Sequence, residues 1–289
     1  MLKPILDRLT VAAARSNTLV LDDRNHQILM ALDAVRLITR RHLVLLLRVH
    51  PSNVSRRIKR LYQFRYIERL PQPVRAGPGA PTHIYCLGAL GAEYVAEARS
   101  CPLPEQGRHT GKPSSAFRVA HDLDVADLYV AFQVAAQDAG MVIEWRNRGE
   151  VAYRYPLAAG GEGELEPDGV FLVRQGTTTR VVFLEVDPAG ESPQPWQRQV
   201  EAYRQYFSEA AGFAGQWESL PGLQAVVLVT TPTPARLDIL RRVTAWDGVG
   251  QGVPVPLGLA VHSEVQPDTA LSPVWQGLGG DPIHLLGPV

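Results

Sequence analysis

The chain has 289 residues, and its 29 Lys and Arg balance 29 Asp and Glu, so the formal net charge is zero. This length suits two domains of ordinary size. No apolar run is long enough to cross a bilayer, and charged residues interrupt the N-terminus too early for a signal peptide. We therefore expect a cytoplasmic protein that does not bind membranes. Two cysteines and no cluster with zinc spacing exclude a structural zinc site.

The charge is unevenly distributed along the chain. Residues 1–100 contain 16 Lys and Arg against 7 Asp and Glu, whereas residues 101–289 contain 13 against 22. A basic half of this kind indicates a polyanionic partner such as double-stranded DNA. The alternative is that the two oppositely charged halves attract each other.

Three helices are predicted in the basic half. Apolar residues recur at helical spacing after Asp22 or Asp23, either of which would cap the first helix. Thr39 is expected to cap the second helix and Ser52 the third.

A β-hairpin is predicted after these helices. The runs YIERL (66–70) and THIYCL (82–87) have the composition of strands, and a loop rich in Pro and Gly separates them. Three helices followed by a two-stranded hairpin are typical of a winged helix, so we predict a winged-helix DNA-binding domain over residues 1–100.

The third helix is strongly basic. Val54, Ile58 and Leu61 form one apolar stripe, and the segment RRIKR (56–60) places cations mainly on the other faces. A helix of this kind fits the major groove of DNA, where Arg and Lys contact phosphates and guanine edges. The alternatives are a solvated basic face or a winged helix that docks another protein. The predicted DNA-binding residues are Ser52, Asn53, Ser55, Arg56, Arg57, Lys59, Arg60 and Arg75.

A second stretch rich in Pro and Gly, residues 101–115, predicts a linker before a second domain at 116–289. The periodicities in this domain predict the order α-β-β-β-β-α-β-α-β. That order is typical of an α/β sandwich with a mixed central sheet. The expected fold class is therefore α+β in the first domain and α/β in the second.

Three acids lie at the ends of two apolar runs in the second domain. Glu185 and Asp187 are two residues apart, so they face the same side of a strand, and a hairpin would bring Asp168 close to them. Carboxylates so placed repel each other unless a cation or a hydrogen-bond donor lies between them. Mg²⁺ and Mn²⁺ prefer oxygen ligands and activate water for phosphodiester cleavage. We predict all three acids as metal ligands and catalytic residues; the alternative is solvated strand ends.

The same residues resemble the PD-(D/E)xK nuclease core. Pro167-Asp168 is followed by E-x-D at 185–187 on an apolar strand. The resemblance implies that the acids hold a metal ion and that a lysine positions the attacking water. Gln199 and Tyr203 resemble the Q-x-x-x-Y element of some members of that superfamily, which makes Gln199 a fourth candidate catalytic residue.

The nuclease lysine is missing. Asp187 stands at its position, and the three lysines of the chain, Lys3, Lys59 and Lys112, all precede the second domain. Arg198 or Gln199 could substitute, although arginine stays charged and transfers protons poorly. The site therefore either binds a metal and cuts slowly or belongs to a nuclease fold that serves as a scaffold.

Most of the chain resembles the replication-relaxation family of plasmid and integrative-element proteins. The segments AHDLDVADL, EPDGVFLV and FLEVD carry the resemblance, with ES and YRQY after them. Where that family has Arg-Gly-Thr after the E-x-D, this chain has Pro-Ala-Gly at 188–190. The resemblance implies a winged helix before a restriction-endonuclease-like domain. The matching residues are His121, Asp127, Asp168, Glu185, Asp187, Glu191 and Tyr203.

Three functions are compatible with these features. The first is a DNA-binding protein of a mobile genetic element, acting in replication or relaxation as a homodimer, with replication or transfer proteins as partners. The second is a catalytically silent regulator of transcription or replication whose second domain dimerises or docks a partner. The third is an active metal-dependent endonuclease or nickase, which a requirement for divalent metal would separate from the other two.

Overall fold

The computed structural model describes residues 19–70, 83–100, 115–146, 151–156, 161–175, 177–188, 192–208, 210–217, 220, 223–247 and 256–285. Contacts divide the chain into two units, Met1–Val130 and Ala131–Val289. The division lies inside a long helix, and most of the predicted linker lies outside the described residues. The predicted domains, 1–100 and 116–289, stay a prediction.

The described part of the first unit is mainly helical. Its helices are α1 (Asp23–Val35), α2 (Arg40–Leu47), α3 (Pro51–Gln63), α4 (Ala89–Arg99) and the first part of α5 (Ala116–Asp138). Its strands are β1 (Ile38–Thr39), β2 (Ile67–Leu70) and β3 (Ile84–Leu87). The strands form one antiparallel sheet in the order β1-β3-β2, so the predicted hairpin gains a short third strand that the sequence pattern did not indicate.

Side-chain caps begin the first two helices as predicted. Asp22 accepts the backbone N–H of Asn25 at 2.9 Å at the start of α1, and Thr39 accepts that of His42 at the start of α2. The predicted cap of α3 was wrong, because that helix begins at Pro51, before Ser52. Proline suits the first helical position, since its fixed φ is already helical and it has no N–H to satisfy.

The predicted apolar stripe of α3 is buried. Val54, Ile58 and Leu61 are at most 4% exposed. Hydrophobic burial therefore stabilises the packing of α3.

The buried carboxylate of Asp33 on α1 lies 2.7 Å from Nε of Arg99 on α4. This ion pair shows that α1 and α4 lie next to each other.

The first part of α5 belongs to this unit because of its apolar face. Val119 and Leu123 pack against a buried cluster that the strands and the segment before β1 supply. The members of that cluster are Leu37, Leu70, Ile84 and Cys86.

The second unit is built on a five-stranded sheet in the order β10-β9-β8-β7-β4. Its strands are β4 (Ile143–Arg146), β7 (Gly169–Gln175), β8 (Thr178–Val186), β9 (Leu223–Thr231) and β10 (Leu257–Val261). The predicted hairpin of β7 and β8 is antiparallel, as is the pair of β4 and β7. Strands β8, β9 and β10 are mutually parallel, so the sheet is mixed as predicted.

Helices connect the parallel strands. They are α6 (Pro193–Ser208), a π-helical turn (Ala210–Ala214), α7 (Gly215–Trp217), α8 (Pro234–Asp247) and a 3₁₀ turn (His262–Glu264). Helix α6 precedes β9 and α8 precedes β10, as parallel pairing requires a crossover. Within the described residues, no helix is both long and apolar enough to cross a membrane.

A separate two-stranded ladder lies outside the main sheet. It consists of β5 (Tyr153–Pro156) and β6 (Glu162–Leu165). Strand β6 was not predicted, because its sequence EGEL has little strand propensity. Gly163 leaves room for the ring of Tyr155, since a Cβ atom at this position would lie 2.5 Å from that ring and displace it.

Each face of the main sheet has its own core. On one face, Phe183 of β8 is fully buried and contacts the rings of Tyr203, Tyr206 and Phe207 from α6. On the other face, Phe132 of α5 packs on Phe171 with ring centroids 4.7 Å apart, and it also stacks on Trp275 of the C-terminal segment.

Phe183→Ala is expected to lower the free energy of unfolding by about 3–5 kcal/mol, because it removes a buried ring that the surrounding aromatics cannot replace. Denaturant unfolding of the full chain measures this change. Val142→Ala is the matched control, since Val142 is 81% exposed and its truncation should cost under about 0.5 kcal/mol. Equal effects of the two substitutions would contradict the central position of Phe183.

Candidate functional site

Two acids, Glu185 and Asp187, lie at the end of β8 on the same face as its apolar residues. Val181, Phe183, Glu185 and Asp187 alternate with the residues of the opposite face, so the row begins apolar and ends acidic. Glu185 is 8% and Asp187 9% exposed. The backbone N–H of Asp187 donates to the carbonyl of Thr230 at 2.9 Å, which keeps the acid at the end of β9. Both acids are thus held at the carboxyl end of the parallel strands.

Glu185 is held by two donors from α6. Its Oε1 accepts from Nε2 of Gln199 at 2.9 Å and from the hydroxyl of Tyr203 at 2.6 Å. These residues are four apart on the helix and so lie on one face. Gln199 therefore lies beside Glu185 as a hydrogen-bond donor, and its catalytic role stays a prediction.

The hydroxyl of Tyr203 stays protonated at neutral pH. Burial raises the pKa of Tyr203 well above its usual range, and the charge of Glu185, its hydrogen bond and the charge of Asp168 raise it further. A protonated hydroxyl buried against a carboxylate is a permanent donor. Tyr203 therefore acts as a fixed hydrogen-bond donor to Glu185.

Asp168 lies beside the same strand end. The β7–β8 ladder begins at Gly169 and Leu184, and the side chain of Asp168 extends it by accepting the N–H of Val186 at 2.9 Å. Asp168 also lies near enough to Tyr203 for its charge to act on the hydroxyl. The structure thus brings Asp168 and Glu185 together around Tyr203.

Asp187 pairs with an arginine that the sequence interpretation missed. Its Oδ2 accepts from Nε of Arg236 at 2.7 Å, and its Oδ1 accepts from Nη2 at 2.7 Å. Both side chains are buried, and the paired geometry is the strongest that a carboxylate and a guanidinium form. Arg236 lies in the first turn of α8, directly after β9, so parallel pairing of β8 and β9 was the signal that could have identified it.

These contacts decide how well the acids fit a divalent cation. The carboxylate oxygens of Asp168 and Glu185 are ligands of the kind that Mg²⁺ and Mn²⁺ accept. Asp187 already has a cation, because both of its oxygens accept hydrogen bonds from Arg236. A metal ion could use Asp187 only if that buried ion pair opened. The assignment of metal ligands stays a prediction, and Asp168 with Glu185 is the part of it that fits better.

Two other residues of the family pattern lie on α5 within the first unit, His121 and Asp127. Oδ1 of Asp127 lies 2.8 Å from Nε2 of His42 on α2, so this acid has a structural partner there. Glu191, together with the Ala-Gly pair at 189–190, lies outside the described residues.

The polar surface of α3 divides into two stripes. One stripe contains residues at spacing i, i+3, i+4 and i+7: Asn53, Arg56, Arg57 and Arg60. The other contains residues at spacing i, i+3 and i+7: Ser52, Ser55 and Lys59. All seven are predicted DNA-binding residues, and the two stripes lie side by side on the polar surface of the helix. Arg75 lies outside the described residues.

Internal contacts hold most side chains of both stripes. Arg57 donates to Asp22, and Arg56 donates to Asn53 at 2.7 Å. Ser55 donates to the carbonyl of Pro51 and accepts from Arg40. Ser52 lies 2.8 Å from Nδ1 of His50. Lys59 and Arg60 are exposed, and within the described part of the chain their side chains have no hydrogen bond or ion pair.

Tyr203→Phe is expected to destabilise the protein by about 1.5–3 kcal/mol, because it removes a buried hydrogen bond to a charged group. Denaturant unfolding measures the change, and Tyr62→Phe is the control, since Tyr62 is 46% exposed. A loss no larger than in the control would refute the role of Tyr203 as a fixed donor.

The family comparison agrees with the resemblance drawn from the sequence. The model of the replication-relaxation family matches residues 29–216, which is more than half of the chain. No curated protein and no solved structure matches the chain significantly. The matched region includes α3, the β7–β8 hairpin and all of α6 with Gln199 and Tyr203. The chain therefore belongs to the replication-relaxation family.

Proposed function

We propose that this protein binds double-stranded DNA through α3 and acts in the replication or relaxation of a mobile genetic element. The observation that carries the proposal is the exposed basic surface of α3, where Lys59 and Arg60 have no acidic partner among the described residues. Cations on an exposed helix attract a polyanion, and neutralising phosphates releases the counterions of DNA. Membership of the replication-relaxation family supports a role in replication.

The arrangement of elements supports a winged helix. Helices α1, α2 and α3 are followed by the hairpin of β2 and β3, and β1 completes a small antiparallel sheet. In a winged helix the third helix enters the major groove, and the loop between the hairpin strands contacts the neighbouring backbone. Here α3 would be the groove helix, and the predicted DNA contact of Arg75 lies outside the described residues.

The two polar stripes of α3 suit different contacts. Ser52 and Ser55 are short hydroxyl side chains that can reach base edges, and Lys59 is a flexible point charge suited to phosphate. We propose that these three residues face the groove. A homodimer would add a second helix and so raise affinity, because two linked sites bind more tightly than one. Replication or transfer proteins would then be recruited to the bound DNA.

Lys59→Gln is expected to weaken binding to every duplex sequence and to reduce the slope of log K against log salt by about 1, because one phosphate contact is lost. Fluorescence anisotropy with a labelled duplex at several salt concentrations measures both quantities. Arg154→Gln is the control, since Arg154 is an exposed cation of the second unit. A wild-type protein with no salt-dependent duplex binding would overturn the proposal.

A second candidate function is metal-dependent cleavage of DNA. It is favoured by the convergence of Asp168 and Glu185 at the end of β8, with Gln199 and Tyr203 beside them. The order of elements from α5 to β9, with its antiparallel hairpin and parallel crossover, is compatible with a PD-(D/E)xK nuclease fold. We propose this fold for the second unit.

The chemistry of this candidate depends on Asp168 and Glu185. These acids would hold Mg²⁺ or Mn²⁺, and the ion would supply an activated water and neutralise charge on the phosphate. Gln199 and Tyr203 would keep the carboxylate of Glu185 in one orientation. Asp187 cannot replace the nuclease lysine as a donor, but its partner Arg236 places a guanidinium at the same strand end. That cation could stabilise negative charge without transferring a proton.

The cleavage candidate predicts that supercoiled plasmid is nicked or linearised in Mg²⁺ or Mn²⁺ but not in EDTA. Glu185→Gln should abolish this product, because it removes a metal-binding charge while preserving side-chain size. Glu162→Gln, at an exposed position, is the matched control. Intact plasmid in every lane, with duplex binding unchanged by Glu185→Gln, would eliminate cleavage and leave a silent DNA-binding regulator.

A further inference from the structure

A cleft of about 210 Å³ lies between the start of α1 and one stripe of α3 in the first unit. The side chains that matter here are Asp22 and Arg24 from the start of α1, and Asn53, Arg56, Arg57 and Arg60 from α3. The four residues of α3 are spaced so that they lie on one face of the helix, and this face forms one wall of the cleft.

The lining of the cleft has an excess of positive charge. Among the described residues, it contains four arginines, of which three come from one stripe of α3, and a single carboxylate, Asp22. Guanidinium groups gathered around one cleft repel each other, and a bound anion relieves that repulsion. The carboxylate of Asp22 compensates only part of the charge.

Two of the arginines are held in place before any ligand binds. Nη1 of Arg57 donates to both carboxylate oxygens of Asp22 at 2.7 Å and to Oδ1 of Asn25 at 3.2 Å. Nη2 of Arg56 donates to Asn53. Ordering these long side chains in advance reduces the entropy lost on binding.

Donors remain on these arginines for a ligand. Within the described residues, the hydrogen bonds of the Arg57 side chain involve Nη1, which leaves Nε and Nη2 for another acceptor. Arg60 makes no side-chain hydrogen bond or ion pair there. The planar fork of a guanidinium matches two oxygens of a phosphate, which a spherical anion such as chloride does not offer.

We propose that this cleft is a binding site for a phosphate group, supplied either by the backbone of DNA alongside α3 or by a free phosphorylated small molecule. This site goes beyond the proposed DNA binding, because it would bind inorganic phosphate in the absence of DNA. Only the idea that the phosphate belongs to the DNA backbone rests on the proposed function. In that case the cleft would fix the position of α3 along the groove, because phosphate contacts set register.

The test is a titration of the full chain with inorganic phosphate at constant ionic strength, with chloride as the balancing anion, followed by the NMR signals of the arginine Nε–H groups. Saturable binding is expected. Arg60→Gln should weaken it about tenfold, because it removes a hydrogen bond between charged groups. Arg41→Gln is the matched control, since Arg41 is an exposed cation of α2 outside the cleft. No saturation, or equal weakening by both variants, would overturn the site.

A second variant is expected to strengthen phosphate binding instead of weakening it. Asp22→Asn preserves the cap of α1, since Asn is as good an N-cap as Asp. It also removes the charge of the one carboxylate that the described residues of the cleft contain, while the amide oxygen of Asn can still accept a hydrogen bond from Arg57. Phosphate should therefore bind about fivefold more tightly. A folded Asp22→Asn protein whose phosphate affinity is unchanged or lower would contradict the proposal.

Repeating the titration with saturating duplex identifies the source of the phosphate. Competition between phosphate and duplex assigns the cleft to the DNA backbone, and simultaneous binding assigns it to a free phosphorylated small molecule. Phosphate binding without any duplex binding would overturn the proposed function and leave the cleft as a site. Duplex binding without phosphate binding would overturn the cleft alone.

Discussion

The burial of β8 is the constraint on which the second unit depends. This strand pairs with β7 on one side and β9 on the other, and both of its faces are covered by side chains. A strand buried in this way must be apolar along most of its length. Its two acids can therefore stand only at its end, and each needs a partner, because an unpaired buried charge costs several kcal/mol.

The partners of these acids come from the helices that cover the same face. Helix α6 supplies two neutral donors to Glu185, and α8 supplies a guanidinium to Asp187. The two acids thus differ in chemical character although they are two residues apart. Glu185 accepts hydrogen bonds from two neutral donors, whereas Asp187 accepts from the guanidinium of Arg236. Asp187 is therefore committed to an internal ion pair.

The first unit has the opposite electrostatic character around α3. Internal contacts there organise several cations without cancelling their charge, because the described residues of the cleft include four arginines and one carboxylate. One helix can serve two purposes, since its polar arc is wide enough for two stripes while its third face is buried. We infer that one stripe faces the DNA groove and that the other binds a phosphate beside it.

The sequence by itself determined the local elements and the family. Hydrophobic spacing predicted α1, α2, α3 and the β7–β8 hairpin, because periodicity reflects which face of an element is buried. The order of short motifs predicted the replication-relaxation family, and the family comparison confirmed it. The start of α3 was predicted wrongly because two local signals competed there. Ser52 is a favourable N-cap residue, but Pro51 is favourable as the first helical residue, and the helix begins at Pro51.

Only the tertiary structure decided which side chains meet. Arg236 is 49 residues from Asp187, and Asp22 is 35 residues from Arg57, so no local pattern connects either pair. Strands β1 and β6 also depend on their partners, since β1 has two residues and β6 is largely polar. Periodicity reports the burial of a residue along its own element, whereas ion pairs, clefts and edge strands form between elements brought together by folding. For this reason the sequence alone identified Asp22 and Asp187 but not the arginines that pair with them.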